Sequence, residues 1–142
     1  MKVFFLFAGI ALAVSACSGS SSSSPTAPTV SAPYSVVDVR TGTGTEATIG
    51  RSATVNYALY HYSATAADNK GAQIQAGTLP PFVVGSNQTI QGFSMATNNM
   101  RVGGLRRAVI PPSLAYGSNP PANSGIGVNE TLVFEIELLA VQ

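Results

Sequence analysis

Between Gly85 and Gly117 the chain reads GSNQTIQGFSMATNNMRVGGLRRAVIPPSLAYG, and no other stretch limits the fold as strongly. Gly85, Gly92, Gly103, Gly104 and Gly117 stand where the backbone is expected to change direction, because glycine reaches positive φ at no steric cost. Between them lie Ile90, Phe93, Met95, Met100, Val102, Val109 and Ile110. A segment that turns so often and stays so apolar is expected to wrap around something. It contains no acid–base pair, metal-ligand cluster or phosphate loop, so any activity it carries has to come from the shape of an apolar surface.

The flanking sequence supplies strands. From Ser52 to Tyr62, Ala53, Val55, Tyr57 and Leu59 share one face while Thr54, Asn56, Ala58 and Tyr60 share the other, the pattern of a half-buried antiparallel strand. From Glu130 to Val141, Leu132, Phe134, Ile136 and Leu138 alternate with Val133, Glu135 and Glu137 in the same way. Shorter strands are expected at Tyr34–Val39, at Arg106–Ile110, and at Leu79–Gly85, where Pro80 and Pro81 confine the strand to a start or an edge. Ser63–Thr78 reads as a polar connection with a turn at Asp68–Gly71. Thr89–Met100 is the one plausible helix, and Pro111–Gly127 is a long loop whose Leu114, Tyr116 and Ile126 argue for an ordered flap. The expected fold class is therefore α+β, a twisted antiparallel sheet of about five strands with one short helix.

The N-terminus belongs to another category. Residues 1–16, MKVFFLFAGIALAVSA, carry one cation and an uncharged apolar run of twelve residues. A helix of that length spans about 18 Å and cannot cross a hydrocarbon core of about 30 Å, so a secretory signal is the expected role. Cys17 is the only cysteine, which excludes an internal disulfide. Its context, Val14-Ser15-Ala16-Cys17, resembles a bacterial lipobox, in which the cysteine is lipidated and becomes the new N-terminus. The Ser- and Pro-rich remainder of residues 17–32 has no means of burying a core and reads as a tether. Ser18 is not the Asp that holds such proteins at the inner membrane, so the resemblance implies an outer-membrane lipoprotein of the bacterial envelope. Residues 33–142 form the folded domain. Without Lys2, six cations face six carboxylates, and this neutral balance gives no reason to expect a nucleic-acid partner. His61, the only histidine, has no neighbouring ligands in sequence that would suggest a metal site, and no cofactor is implied.

Four segments in order then carry a family resemblance: Gly92-Phe93, Met100-x-Val102-Gly103-Gly104-x-Arg106-Arg107, Ile110-Pro111-Pro112-x-Leu114-Ala115-Tyr116-Gly117, and Leu132-Val133-Phe134-Glu135-Ile136-Glu137-Leu138-Leu139. They resemble the FKBP-type peptidyl-prolyl isomerases, closely over Gly85–Leu139 and less so between Tyr60 and Phe82. The resemblance implies a sheet wrapped around a short helix, with an aromatic pocket between them that receives a proline. It implies catalytic roles for Tyr57, Ile90, Phe93, Tyr116 and Phe134, and substrate contacts from Ile74, Gln75, Phe82, Thr89 and Ile126. Phe93 would form the floor, where the family usually has Trp, and Phe82 a wall. Ile74-Gln75 stands where the family often has Phe-Asp, so a carboxylate at the pocket's polar edge is missing.

The chemistry suits such a pocket. An Xaa-Pro bond isomerises slowly because its partial double-bond character sets a barrier near ~20 kcal/mol. An apolar pocket lowers that barrier without a nucleophile by binding the twisted amide, which has lost its resonance, better than the planar one. The resemblance also implies two hydrogen-bond donors, the Ile90 backbone N–H and the Tyr116 hydroxyl. The expected partners are proline-containing polypeptides of the envelope or secreted pool, macrolide inhibitors such as rapamycin, and a membrane reached through Cys17, with the domain a monomer. A non-catalytic module or holdase that grips proline-containing segments is the alternative, and Gln75 is the feature that favours it.

Overall fold

The computed structural model describes residues 30–142; the signal peptide, Cys17 and most of the tether lie outside the described residues. Five strands, β1 (Ser35–Arg40), β2 (Ser52–Tyr62), β3 (Lys70–Val83), β4 (Leu105–Ile110) and β5 (Leu132–Val141), form one antiparallel sheet in the order β1-β4-β5-β2-β3. The two runs with the strongest alternation, β2 and β5, pair with each other at its centre. Leu132, Phe134, Ile136 and Leu138 of β5 and Ala53, Val55 and Leu59 of β2 are buried, each aliphatic side chain contributing roughly 1.5–3 kcal/mol of transfer free energy. Val133 departs from the expected solvated face and is fully buried between its cross-strand neighbours Tyr60 and Val109.

The helix α1 (Gln91–Thr97) packs on β4 and β5 and buries Phe93, Ala96 and Thr97. Seven residues are too few for a helix to persist by itself, so this one exists because the sheet holds it. Its N-cap is Ile90, which offers no side-chain hydrogen bond. At the other end Arg106 of β4 supplies what the helix lacks. Its Nη1 donates to the carbonyls of Ala96 at 2.9 Å and Asn98 at 3.0 Å, while its Nε and Nη2 donate to Asp38 of β1 at 2.5 and 3.2 Å. A cation at a helix C-terminus also opposes the negative end of the helix dipole.

Two sequence expectations change. The polar connection and the short strand after it are one fourteen-residue strand, β3, with Pro80 and Pro81 near its end. It was not legible because β3 is an edge strand, mostly exposed on both faces, and so has no apolar alternation to read. The five glycines also do not share one reason. Gly103 turns the chain at φ +87, whereas Gly92 lies inside α1, where an added Cβ would sit 2.3 Å from Cγ2 of Ile110. Ile110 is β-branched and fully buried, so it has nowhere to retreat. We expect Gly92→Ala to cost about 1–3 kcal/mol in urea denaturation through overpacking, in spite of the better helix propensity of alanine.

Candidate active site

Where α1 begins, a cleft of about 250 Å³ opens between the helix, the inner face of β2 and β5, the edge strand β3 and the loop after β4. Phe93 forms its floor, 2% exposed, with the ring of Phe134 at 5.3 Å and 78° and that of Tyr57 at 6.3 Å and 88°. Both are edge-to-face contacts, which suit the aromatic quadrupoles and fix ring orientation. Tyr57 reaches the cleft because β2 alternates, which puts it on the face of Val55 and Leu59. Phe134 arrives the same way on β5, opposite Leu59. Tyr116 comes from the loop, two residues after a short 3-10 turn at Pro112–Leu114, and Gly117 closes that turn by donating to the Pro112 carbonyl at 2.9 Å.

The structure brings together Tyr57, Gln75, Thr89, Ile90, Phe93, Tyr116, Ile126 and Phe134 around this one cleft. It does not place Phe82 or Ile74 in the lining. Phe82, expected as a wall, is buried behind the floor, its ring 5.8 Å from that of Phe93, and Leu79 lines the cleft instead. A register shift in the β2–β3 pairing between Ala53 and Val55 separates the two positions, and residue types alone do not show a shift of that kind. Ile74 packs against the core beside Gly125 of the flap; it is left unpaired at the register shift between Leu59 and Tyr60, where strict alternation along the strand is broken. Leu59, Leu79, Gln88, Pro121 and Ser124 also line the cleft and were not expected. Leu59 was readable, since it shares the face of Tyr57; the loop residues carry no periodic signal.

The polar groups are few. The Gln75 side-chain amide donates to the Tyr57 hydroxyl at 2.7 Å, so the position where the resemblance implies a carboxylate is occupied by a neutral donor. Burial pushes the Tyr116 phenol above the ordinary tyrosine value, with Tyr57 adding to the shift. The Tyr116 hydroxyl therefore keeps its proton throughout the neutral range and is a donor. Ile90 donates none of the turn and cap bonds found among the described residues, although its carbonyl accepts from Phe93 and Ser94 at 3.1 Å each. The Thr89 hydroxyl is buried without a partner among the described residues. A larger hollow of about 410 Å³ lies on the other side of Thr89, lined by Ser86, Asn87, Ser94 and Asn98 among others, with no aromatic ring. Its walls offer a proline ring no such surface.

A sheet of this order around one short helix, with an aromatic cleft at the helix start whose lining, among the described residues, sets no histidine or carboxylate beside its hydroxyls to activate a nucleophile, suits binding by shape. The family model of the FKBP-type peptidyl-prolyl cis-trans isomerases matches residues 44–139, and the chain belongs to that family. It is therefore an isomerase of the Xaa-Pro bond. The chain is 33% identical over 110 residues to an FK506-binding protein of Streptomyces anulatus, covering 78% of this chain and 87% of that one. A peptidyl-prolyl cis-trans isomerase of Pseudomonas syringae pv. tomato shares the fold at a TM-score of 0.61 and 30% identity, over 77% of this chain and 75% of that one. AtFKBP13 aligns at a TM-score of 0.63 and 25% identity, covering 80% and 98%.

A raised folded-state pKa contributes stability that is complete below the unfolded value, near pH ~10 for tyrosine, and is lost as pH rises through the folded value. Burial raises the Tyr34 phenol as well, so ultraviolet titration should find two late-ionising phenols, and Tyr116→Phe should remove one of those two late steps.

Proposed function

We propose that the cleft over Phe93 is where the enzyme binds and twists its Xaa-Pro bond. The observation that carries the reading is the meeting of three rings from three separate elements, Tyr57, Phe93 and Phe134, under a tyrosine hydroxyl and a backbone N–H with no ring of fixed charge around them. Phe93, Tyr57 and Phe134 hold the proline ring, Ile90 and Ile126 close its sides, and the substrate backbone takes hydrogen bonds from Ile90 N–H and Tyr116. Thr89 and Gln75 stand at the polar edge. Because the amide loses resonance and charge separation as it twists, a low-polarity cleft favours the transition state over the planar ground state. The same surface suits macrolide inhibitors such as rapamycin.

The clients we propose are secreted or envelope polypeptides. This rests on the N-terminal sequence, in which a signal peptide, a lipobox ending on Cys17 and a low-complexity tether come in succession. The domain then works as a monomer at the outer membrane, held there by lipid on Cys17 and reaching its clients through the tether.

Two measurements test these readings. A soluble chain from Ser18 to Gln142 should accelerate isomerisation of an Xaa-Pro peptide, and Tyr116→Phe should lower kcat/KM by up to about tenfold, the worth of one hydrogen bond. An unchanged kcat/KM in that variant would remove Tyr116 from the mechanism. For the location, the full chain expressed in a Gram-negative host should incorporate labelled fatty acid and fractionate with the outer membrane. Cys17→Ser should lose both properties, and recovery of the unaltered chain in the soluble fraction would reject the anchor.

A further inference from the structure

We infer that Glu130 is a positioning residue for the isomerase: its carboxylate ties the flap to the end of β2 and thereby holds Ile126 and Ser124 in place against the substrate. The inference rests on the cleft being the active site. The loop between β4 and β5 has two parts with different support. Its base is fixed by backbone bonds, Gly117 donating to the Pro112 carbonyl at 2.9 Å and Asn129 donating to the Gly117 carbonyl at 2.7 Å. Its tip, which carries Ser124 and Ile126, is bonded mainly to itself: Ser124 Oγ donates to the Pro121 carbonyl at 2.6 Å and accepts from the Ile126 N–H at 3.3 Å. Those bonds shape the tip but do not fix where it sits.

Glu130 provides the missing link. One carboxylate oxygen accepts from the Gly127 N–H at 2.5 Å, next to the cleft residue Ile126, and the other accepts from Nδ1 of His61 near the end of β2. A side chain at residue 127 would crowd this contact, since an added Cβ would lie 3.1 Å from the Glu130 oxygen. The Glu130 side chain is 21% exposed and that of His61 38%, so the pair is better shielded than Arg40–Glu137 or Arg101–Glu46. Packing at the tip comes from Ile126, which sits against the core, whereas Val128 is 59% exposed and an added Cβ at Gly125 would meet only Ile74. A carboxylate with two acceptor oxygens can serve two donors at once, which is what joins a loop to a strand here. This gives the only histidine a role that is neither catalytic nor metal-binding.

The experiment measures kcat and KM of the full mature domain on an Xaa-Pro peptide, together with hydrogen exchange at the Gly127 amide. Glu130→Ala should lower kcat/KM about five- to tenfold, the size expected when one or two such bonds are lost, and should speed exchange at Gly127. Glu130→Gln, which keeps an acceptor for Gly127, should return kcat/KM to within about twofold of the unaltered domain. His61→Ala should cost less than Glu130→Ala and add nothing on top of it. Equal losses in the Ala and Gln variants, or no loss in either, would overturn the inference. If Glu130→Ala does not fold, His61→Ala and Glu130→Gln decide it by the same criteria. Tyr116→Ala separates the two levels: a wild-type rate there removes the cleft and this inference with it, whereas a loss there beside an unaffected Glu130→Ala removes only the inference.

Discussion

Everything in this domain depends on the packing of one ring. Phe93 sits on a helix of seven residues, buried against Phe82, Phe134 and Tyr57 from three different strands. A helix that short gains too few internal hydrogen bonds to repay its nucleation, so its stability is borrowed from this contact. The contact in turn needs Gly92, because a methyl group beside Phe93 would push the helix off Ile110 and lift the ring from its neighbours. The same ring is the cleft floor. Core and site therefore share an atom set, and a substitution that loosens one loosens the other.

The two ends of α1 show how that dependence is managed. At the start, a residue with a capping side chain would satisfy an orphan N–H and stabilise the helix by about 1 kcal/mol. Ile90 stands there instead, with an aliphatic side chain in the cleft and no cap bond. Stability is given up locally at the mouth of the cleft. At the other end the carbonyls of Ala96 and Asn98 are met by Arg106, whose guanidinium also grips Asp38. One side chain thus fastens the helix, the strand β4 that carries it and the edge strand β1; it is 13% exposed, whereas the Asp38 side chain is 49% exposed and the ion-pair end of the contact is open to water.

This division explains what the sequence made legible. β2 and β5 lie inside the sheet, so Tyr57, Leu59 and Phe134 announce their face by alternation, and the expected helix over Phe93 forms, although α1 (Gln91–Thr97) is shorter than the expected Thr89–Met100. Tyr116 stood out for the opposite reason, as an aromatic inside a Pro- and Gly-rich loop. β3 stayed hidden because a strand solvated on both faces has no period in its hydrophobicity. Leu79 takes the wall position expected of Phe82 because a bulge shifts register without changing residue type. The pairs His61 with Glu130 and Gln75 with Tyr57 join residues 69 and 18 positions apart, and only the folded sheet brings them together.

Gln75 marks a change of chemistry at the polar edge. A carboxylate at this position could only accept, so it would take the Tyr57 proton and commit that hydroxyl to the edge of the cleft. The amide donates to the Tyr57 oxygen instead, which leaves the phenol proton free to turn elsewhere. The site then holds two tyrosine hydroxyls able to donate, Tyr57 and Tyr116, and no fixed charge between them. For a reaction whose transition state is a less polar, twisted amide, removing a charge from the rim is compatible with catalysis, since the barrier is lowered by fit to the twisted form rather than by stabilising an ion.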